Sequence, residues 1–208
     1  SQPEVKQWVE NYVHEQLDNG DKWDIVKPLK GLAGTIFEEE YQQRSEEELA
    51  RISGFMHDIG NAINRTHHAE LGAMLANDIL KEGGMPIADR MVVISAIGSH
   101  DESTGGAKDP VSAALILADK SDVRQNRVRT TDREKFDIHD RVNYAVTGHS
   151  LKVDPAEKKI SLNLQIDESI CTMYEYFDIF LGRMLMCRAA AEMLGCSFRL
   201  TVNGGKVL

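Results

Sequence analysis

Cysteine, proline and positive charge are all scarce in this sequence, and each shortage excludes a class of protein. Cysteine occurs three times, as Cys171, Cys187 and Cys196, an odd number in or near one amphipathic segment. A disulfide framework needs pairs, so these read as reduced thiols in a cytoplasmic protein. Proline occurs only five times among 208 residues, and no linker is rich in Pro, Gly or Ser. Collagen-like repeats, low complexity and disorder are thereby excluded. Basic residues number 24 against 33 acidic ones, a net charge of -9. A binder of duplex nucleic acid needs a basic footprint, so no such partner is expected. The apolar runs fall far short of the roughly 20 residues that span a membrane, and no signal-peptide pattern opens the sequence. No membrane partner is expected. What is present, 42% hydrophobic and 27% charged residues, is ordinary for a globular chain with one sizeable core.

Helical spacing dominates the first two-thirds. Val5, Trp8, Val9, Tyr12 and Val13 predict a helix over residues 4–17, and Ile25 to Phe37 form a second stretch interrupted by Pro28. Ser45-Glu46-Glu47-Glu48 has the form of a capping box, followed by Leu49, Ile52, Phe55, Met56 and Ile59 on one face, with Gly60 as the end. A helix from His68 to Lys81 turns Leu71, Met74, Leu75, Ile79 and Leu80 inward and closes at Gly83-Gly84. Pro86 opens the next, with Val92, Val93, Ala96 and Ile97 as its stripe, and Asp109-Pro110 starts a fourth that buries Val111, Ala114, Leu115 and Ala118.

The pattern changes near residue 155. Ile160, Leu162, Leu164 and Ile166 alternate with polar residues, as do Phe198, Leu200 and Val202, and Asn203-Gly204-Gly205 reads as a tight turn. Between them lies one long helix, from about Glu168 to Leu194, in which Met184, Met186 and Met193 read as core fillers. A lone strand leaves its backbone unpaired, so a small antiparallel sheet packed on the long helix is expected. The fold class is therefore mainly α, a helical bundle over residues 1–150 with a strand–helix–strand extension over 151–208.

Histidines and acids gather at helix ends. His57-Asp58 ends one helix, His67-His68 opens the next, His100-Asp101-Glu102 ends the third, and Asp119 sits late in the fourth. Antiparallel neighbours bring such ends together, and imidazole with carboxylate suits divalent transition metals. Taken singly, each residue has an ordinary structural explanation; Asp119 alone reads as an ion pair with Lys120 or Arg124. Their order and apolar flanks favour a joint site. Asp137-Ile138-His139-Asp140 has no accompanying ligand set and reads as a helix start with an acidic cap, and His149 reads as a loop residue.

These residues resemble the HD superfamily of metal-dependent phosphohydrolases. The resemblance lies in Gly54-Phe55-Met56-His57-Asp58-Ile59-Gly60-Asn61, His68-Ala69-Glu70-Leu71-Gly72-Ala73, Ala96-Ile97-Gly98-Ser99-His100-Asp101-Glu102, and Ala113 to Asp122. It spans roughly residues 25 to 130 and implies an HD-type helical bundle. It also implies His57, Asp58 and Asp119 as ligands of a primary metal, with Asp58 bridging where two ions are present. His68 and His100 match positions that hold or border a second ion; His68 is preferred to His67 because it stands four residues before Gly72-Ala73. The implied cofactor is one or two divalent ions, Fe, Mn, Zn, Ni or Co, with Mg admissible.

Two positions depart from the family pattern. Aligning on Ala33-Gly34 places Ile25 where the first histidine belongs, and no histidine lies between His14 and His57. Asn61 stands where a lysine is frequent. Positive charge for a phosphate comes instead from Lys120, Arg124, Arg127 and Arg129, a run that reads equally as a solvated face pairing with Asp122, Asp132 and Glu134.

The resemblance implies hydrolysis of a small phosphate ester, a nucleotide by family habit, through metal-activated water. Asp58, Asp101 and Glu102 are the candidate catalytic carboxylates, with Asp101 or Glu102 handling a proton. Two alternatives compete. One is a degenerate module that binds metal or nucleotide and regulates a partner. The other is a structural interaction protein whose C-terminal unit forms a homodimer surface.

Overall fold

Residues 44–123, 125, 128 and 136–207 are described by the structure, a computed structural model. The helices expected over 4–17 and 25–37 lie outside these residues, as do His14, Ile25, Arg124, Arg127 and Arg129.

Helix α1, Glu46–Met56, starts where the serine predicts: Ser45 Oγ accepts from the Glu48 amide at 3.2 Å. The return bond from Glu48 is not made, because its carboxylate takes Arg44 Nη1 at 2.7 Å. The helix stops at Met56, and a 3-10 turn, Ile59–Ala62, carries the chain round. Helix α2 is His68–Glu82, closed by Gly83 and by Gly84 at φ 76°. Helix α3 is Ile87–Gly98. Helix α4, Pro110–Lys120, opens on a capping box in which Asp109 and Ser112 serve each other's amides. It is the central helix, buried continuously from Val111 to Leu117, and it packs on α1, α3 and the long C-terminal helix.

The inward face of α2 differs from the expectation. Met74 is 67% and Ile79 40% exposed, while Ala69, Gly72 and Ala76 are buried. The cause is a close backbone approach. A Cβ on Gly60 would stand 2.0 Å from the His68 carbonyl oxygen and 2.6 Å from the Gly72 nitrogen. A Cβ on Gly72 would meet the Gly60 nitrogen and the His57 oxygen, both at 3.3 Å. Two glycines thus seat the turn after α1 directly on the first turns of α2. The face that α2 buries is therefore its small-residue face, Ala69, Gly72 and Ala76.

Helix α5, Ile138–Ala145, begins with the acidic cap read from the sequence: Asp137 accepts from the Asp140 amide at 2.7 Å. Strand β1, Val146–Asp154, follows at once, so strand structure starts earlier than the alternation near residue 155 indicated. His149 consequently lies on a strand rather than in a loop, and its Nε2–H donates to the Ser121 carbonyl at 2.8 Å. Strand β2 is Lys159–Ile166, helix α6 Met173–Met193, strand β3 Ser197–Val202 and strand β4 Gly205–Lys206. A capping box between Thr172 and Glu175 sets the start of α6, after a turn in which Asp167 holds Ser169, later than the expected Glu168.

The sheet runs β1-β2-β3-β4 and is mixed, not antiparallel. β1–β2 and β3–β4 are antiparallel, but β2 and β3 pair in parallel. The reason is the connection: α6 carries the chain back across the sheet, so β3 enters in the same direction as β2. Ile160, Leu162, Leu164 and Ile166 are buried as their alternation predicts, beside Phe198, Leu200 and Val202. Asn203 and Gly204, at φ 49° and 80°, make the turn into β4. Buried residues from Leu49 to Val202 form one contiguous cluster, which includes Met184; Met193 is 39% exposed and fills no core. The three cysteines are free and buried. Among the described residues no helix is long and apolar enough to cross a membrane.

Candidate metal centre

Three histidines from three helix ends share one local device. His57 Nδ1–H donates to the Gly54 carbonyl at 2.7 Å, His68 to Arg65 at 3.1 Å, and His100 to Ile97 at 2.6 Å. Each acceptor is the carbonyl three residues back. A carbonyl only accepts, so each Nδ1 carries the proton and each Nε2 presents its lone pair. The seat made by Gly60 and Gly72 brings His57 and His68 together, and the close of α3 delivers His100 between them. The His100 ring stands edge-on to both, with centroids 5.1 Å from His57 and 5.0 Å from His68.

The Nε2 atoms then meet the carboxylates. His57 Nε2 lies 3.5 Å from Asp58 Oδ2 and 3.7 Å from Asp119 Oδ1, and His68 Nε2 lies 3.6 Å from Asp58 Oδ1. His68 Nε2 and His100 Nε2 are 3.2 Å apart. Metal–ligand bonds of about 2.1 Å place donors on one ion roughly 3–4 Å apart, the spacing of these four pairs. Two sets result, His57–His100–Asp119 and Asp58–His68–His100, sharing His100, and within each set of three all donor atoms lie within 4.8 Å of one another. His57 Nε2 is buried without a hydrogen bond, its carboxylate contacts being too long for one. A buried lone pair without a donor, and two more facing each other, fit a cation. The donor set suits the transition ions that imidazole and carboxylate favour.

Charge follows the same geometry. Burial works to lower the His57 pKa, but Asp119 and then Asp58 outweigh it, and the net shift is upward. His100 is pushed down to about 4, chiefly by burial, and so stays neutral. Burial tends to raise Asp101, yet hydrogen bonds from the Ser103 hydroxyl and amide hold it below its ordinary value. Asp101 is therefore an ionised acceptor committed to its own loop.

The structure brings His57, Asp58, His68, His100 and Asp119 together, with Asp58 half exposed at the mouth. His67 does not join them; its ring is 72% exposed. Lys120 is adjacent but buried, 2.9 Å from Asp119 Oδ2 and 3.8 Å from Glu102 Oε1, so the ion pair that was the ordinary reading of Asp119 is also present. Sequence reasoning missed Arg183 of α6, whose Nε lies 2.7 Å from Glu102 Oε1. Nothing local marks an arginine on a long helix as belonging to a site formed far upstream. Cys187, one turn further along α6 and fully buried, is pushed up to about 12 by burial and secondarily by Asp119, and stays a thiol.

A family model described as the HD domain matches residues 30–145, more than half of the chain. No curated protein and no solved structure matches it.

Proposed function

The chain belongs to the HD-domain family, and from that membership and its histidine cluster we propose a metal-dependent phosphohydrolase acting on a small phosphate ester, with a nucleotide as the expected substrate. The observation that carries this reading is the convergence of three Nε2 lone pairs on two carboxylates, with every Nδ1 proton already committed to the backbone. His100 has one lone pair to give, on Nε2, so it would serve one ion; His57, His100 and Asp119 would hold that ion, and Asp58 and His68 would hold or border a second. A divalent ion held there supplies Lewis-acid activation of both water and the phosphoryl group.

The chain's own residues do the rest. Asp58 turns one oxygen to His57 and the other to His68, which suits a carboxylate serving both sets. Lys120 keeps Asp119 oriented by a short ion pair. Asp101, ionised and partly exposed, accepts a proton more readily than it gives one. Arg124, Arg127 and Arg129 stay assigned as phosphate contacts from their sequence position after Asp119.

The test is phosphate release from nucleoside monophosphates and simple phosphate monoesters by protein loaded with Mn, Fe, Co, Ni or Zn. Turnover in the parent and its loss in Asp58→Asn support the proposal. A competing reading, a module that binds nucleotide without turnover, is favoured by the lack of any histidine between His14 and His57. It expects tight nucleotide binding and no phosphate release with any of these ions.

A further inference from the structure

Glu102, in the loop after α3, receives two cations from two other elements on a single oxygen. Arg183 Nε of α6 lies 2.7 Å from its Oε1 and Lys120 Nζ of α4 lies 3.8 Å away. Lys120 also holds Asp119 Oδ2 at 2.9 Å, and Asp119 Oδ1 faces His57 Nε2 at 3.7 Å. A row of alternating charge therefore leads from the histidine cluster to the C-terminal helix.

The two cations differ in what they still have to offer. The Lys120 side chain is 6% exposed and already divided between two carboxylates. Arg183 is 21% exposed and engages Glu102 through Nε. Its guanidinium lies 4.6 Å from the centroid of the Phe180 ring, one turn back on the same helix. The ring contact and the Glu102 ion pair together restrain the guanidinium. Nη1 and Nη2 have no partner among the described residues.

We propose that Arg183 binds the substrate's phosphate through Nη1–H and Nη2–H, with Glu102 as the positioning carboxylate that sets the fork at the rim of the site. This rests on the phosphohydrolase reading and deepens it. Glu102, held by two cations, orients rather than transfers a proton. A planar fork held in advance matches two phosphate oxygens and loses little freedom on binding. The site is otherwise rich in carboxylates, from Asp58, Asp101, Asp119 and Glu102, so an incoming anion needs a cation that is not already consumed. The C-terminal helix is on this account part of the active site. The rival view, that Arg183 and Glu102 merely pin α6 to the bundle, predicts lower thermal stability in their variants and unchanged affinity for phosphate.

The experiment is titration of inorganic phosphate into the metal-loaded full chain by calorimetry, with metal content and melting temperature measured on every sample. Arg183→Ala is expected to weaken phosphate binding on the order of 10- to 100-fold at unchanged metal content, as loss of a charge-assisted pair of hydrogen bonds implies. Arg183→Lys, which keeps the charge and the link to Glu102, is expected to melt like the parent and bind phosphate several-fold more weakly. Should Arg183→Ala fail to fold, the lysine variant decides the matter alone. Equal phosphate affinity in folded variants and parent would overturn the role of Arg183 and leave the phosphohydrolase reading standing. A metal-loaded parent that binds no phosphate would overturn both.

Discussion

His68 Nε2 and His100 Nε2 face each other at 3.2 Å while the Nδ1 proton of each is committed to a carbonyl, that of Arg65 and that of Ile97. Two lone pairs at that distance repel unless a cation lies between them. Chelator-treated protein should therefore be less stable than metal-loaded protein. A free ion at a thousand times its Kd adds about 4 kcal/mol by mass action. Thermal melts with and without chelator, in parent and His100→Ala, check this; the variant should lose most of the metal-dependent gain.

The second prediction concerns the seat that brings His57 and His68 together. A methyl group on Gly60 meets backbone, which cannot step aside as a side chain would. Gly60→Ala is expected to cost at least about 3 kcal/mol and to abolish metal retention together with stability. Gly106→Ala, where nothing lies within 4 Å of the new Cβ, is the control and should melt near the parent. Denaturant titration of both variants reads the difference.

The third prediction concerns Lys120. Its ammonium is the counter-charge to both Asp119 and Glu102 in a largely dry setting. Lys120→Met keeps the volume of the stem but strands two carboxylates, at a cost of about 3 kcal/mol. Chemical unfolding measures it, and raising the salt should restore little, because the group is buried.

A pH dependence follows for the metal-free protein. Burial holds His100 at about 4 in the folded state, below its unfolded value near 6.5. Between those two values the unfolded chain binds a proton that the folded one refuses, so stability falls as pH drops from 6.5 towards 4. The loss is at most about 3 kcal/mol. His57 is raised and works the other way: its contribution is full below the unfolded value and is lost as pH rises through the folded one. His100→Gln should flatten the acid-side loss, as urea unfolding at pH 6.5, 5.5 and 4.5 would show.

Much of this arrangement was legible in the sequence where the signal is local. Asp109-Pro110 specified the start of α4, the alternation from Ile160 to Ile166 specified β2, and the positions of His57, His68, His100 and Asp119 at helix ends implied one meeting point. What escaped depends on distant partners. β1 is an edge strand containing Gly148, and its half-exposed residues show no alternation, so His149 looked like a loop residue. The direction of β3 depends on how α6 crosses the sheet, which no residue within β3 encodes. Met74 has the spacing of a core residue, yet α2 buries the face of Ala69, Gly72 and Ala76, and Met74 lies on the other side. Arg183 reaches Glu102 only because α6 packs on α4.

Elemental analysis of the purified protein, alongside His57→Ala and Asp119→Ala, tests the central claim most directly. The account predicts close to one or two equivalents of Fe, Mn, Zn, Ni or Co per chain in the parent and, in both variants, loss of the ion that His57 and Asp119 help hold, with the variants still folded by circular dichroism. A parent that holds no metal, even after incubation with these ions and dialysis, would contradict it.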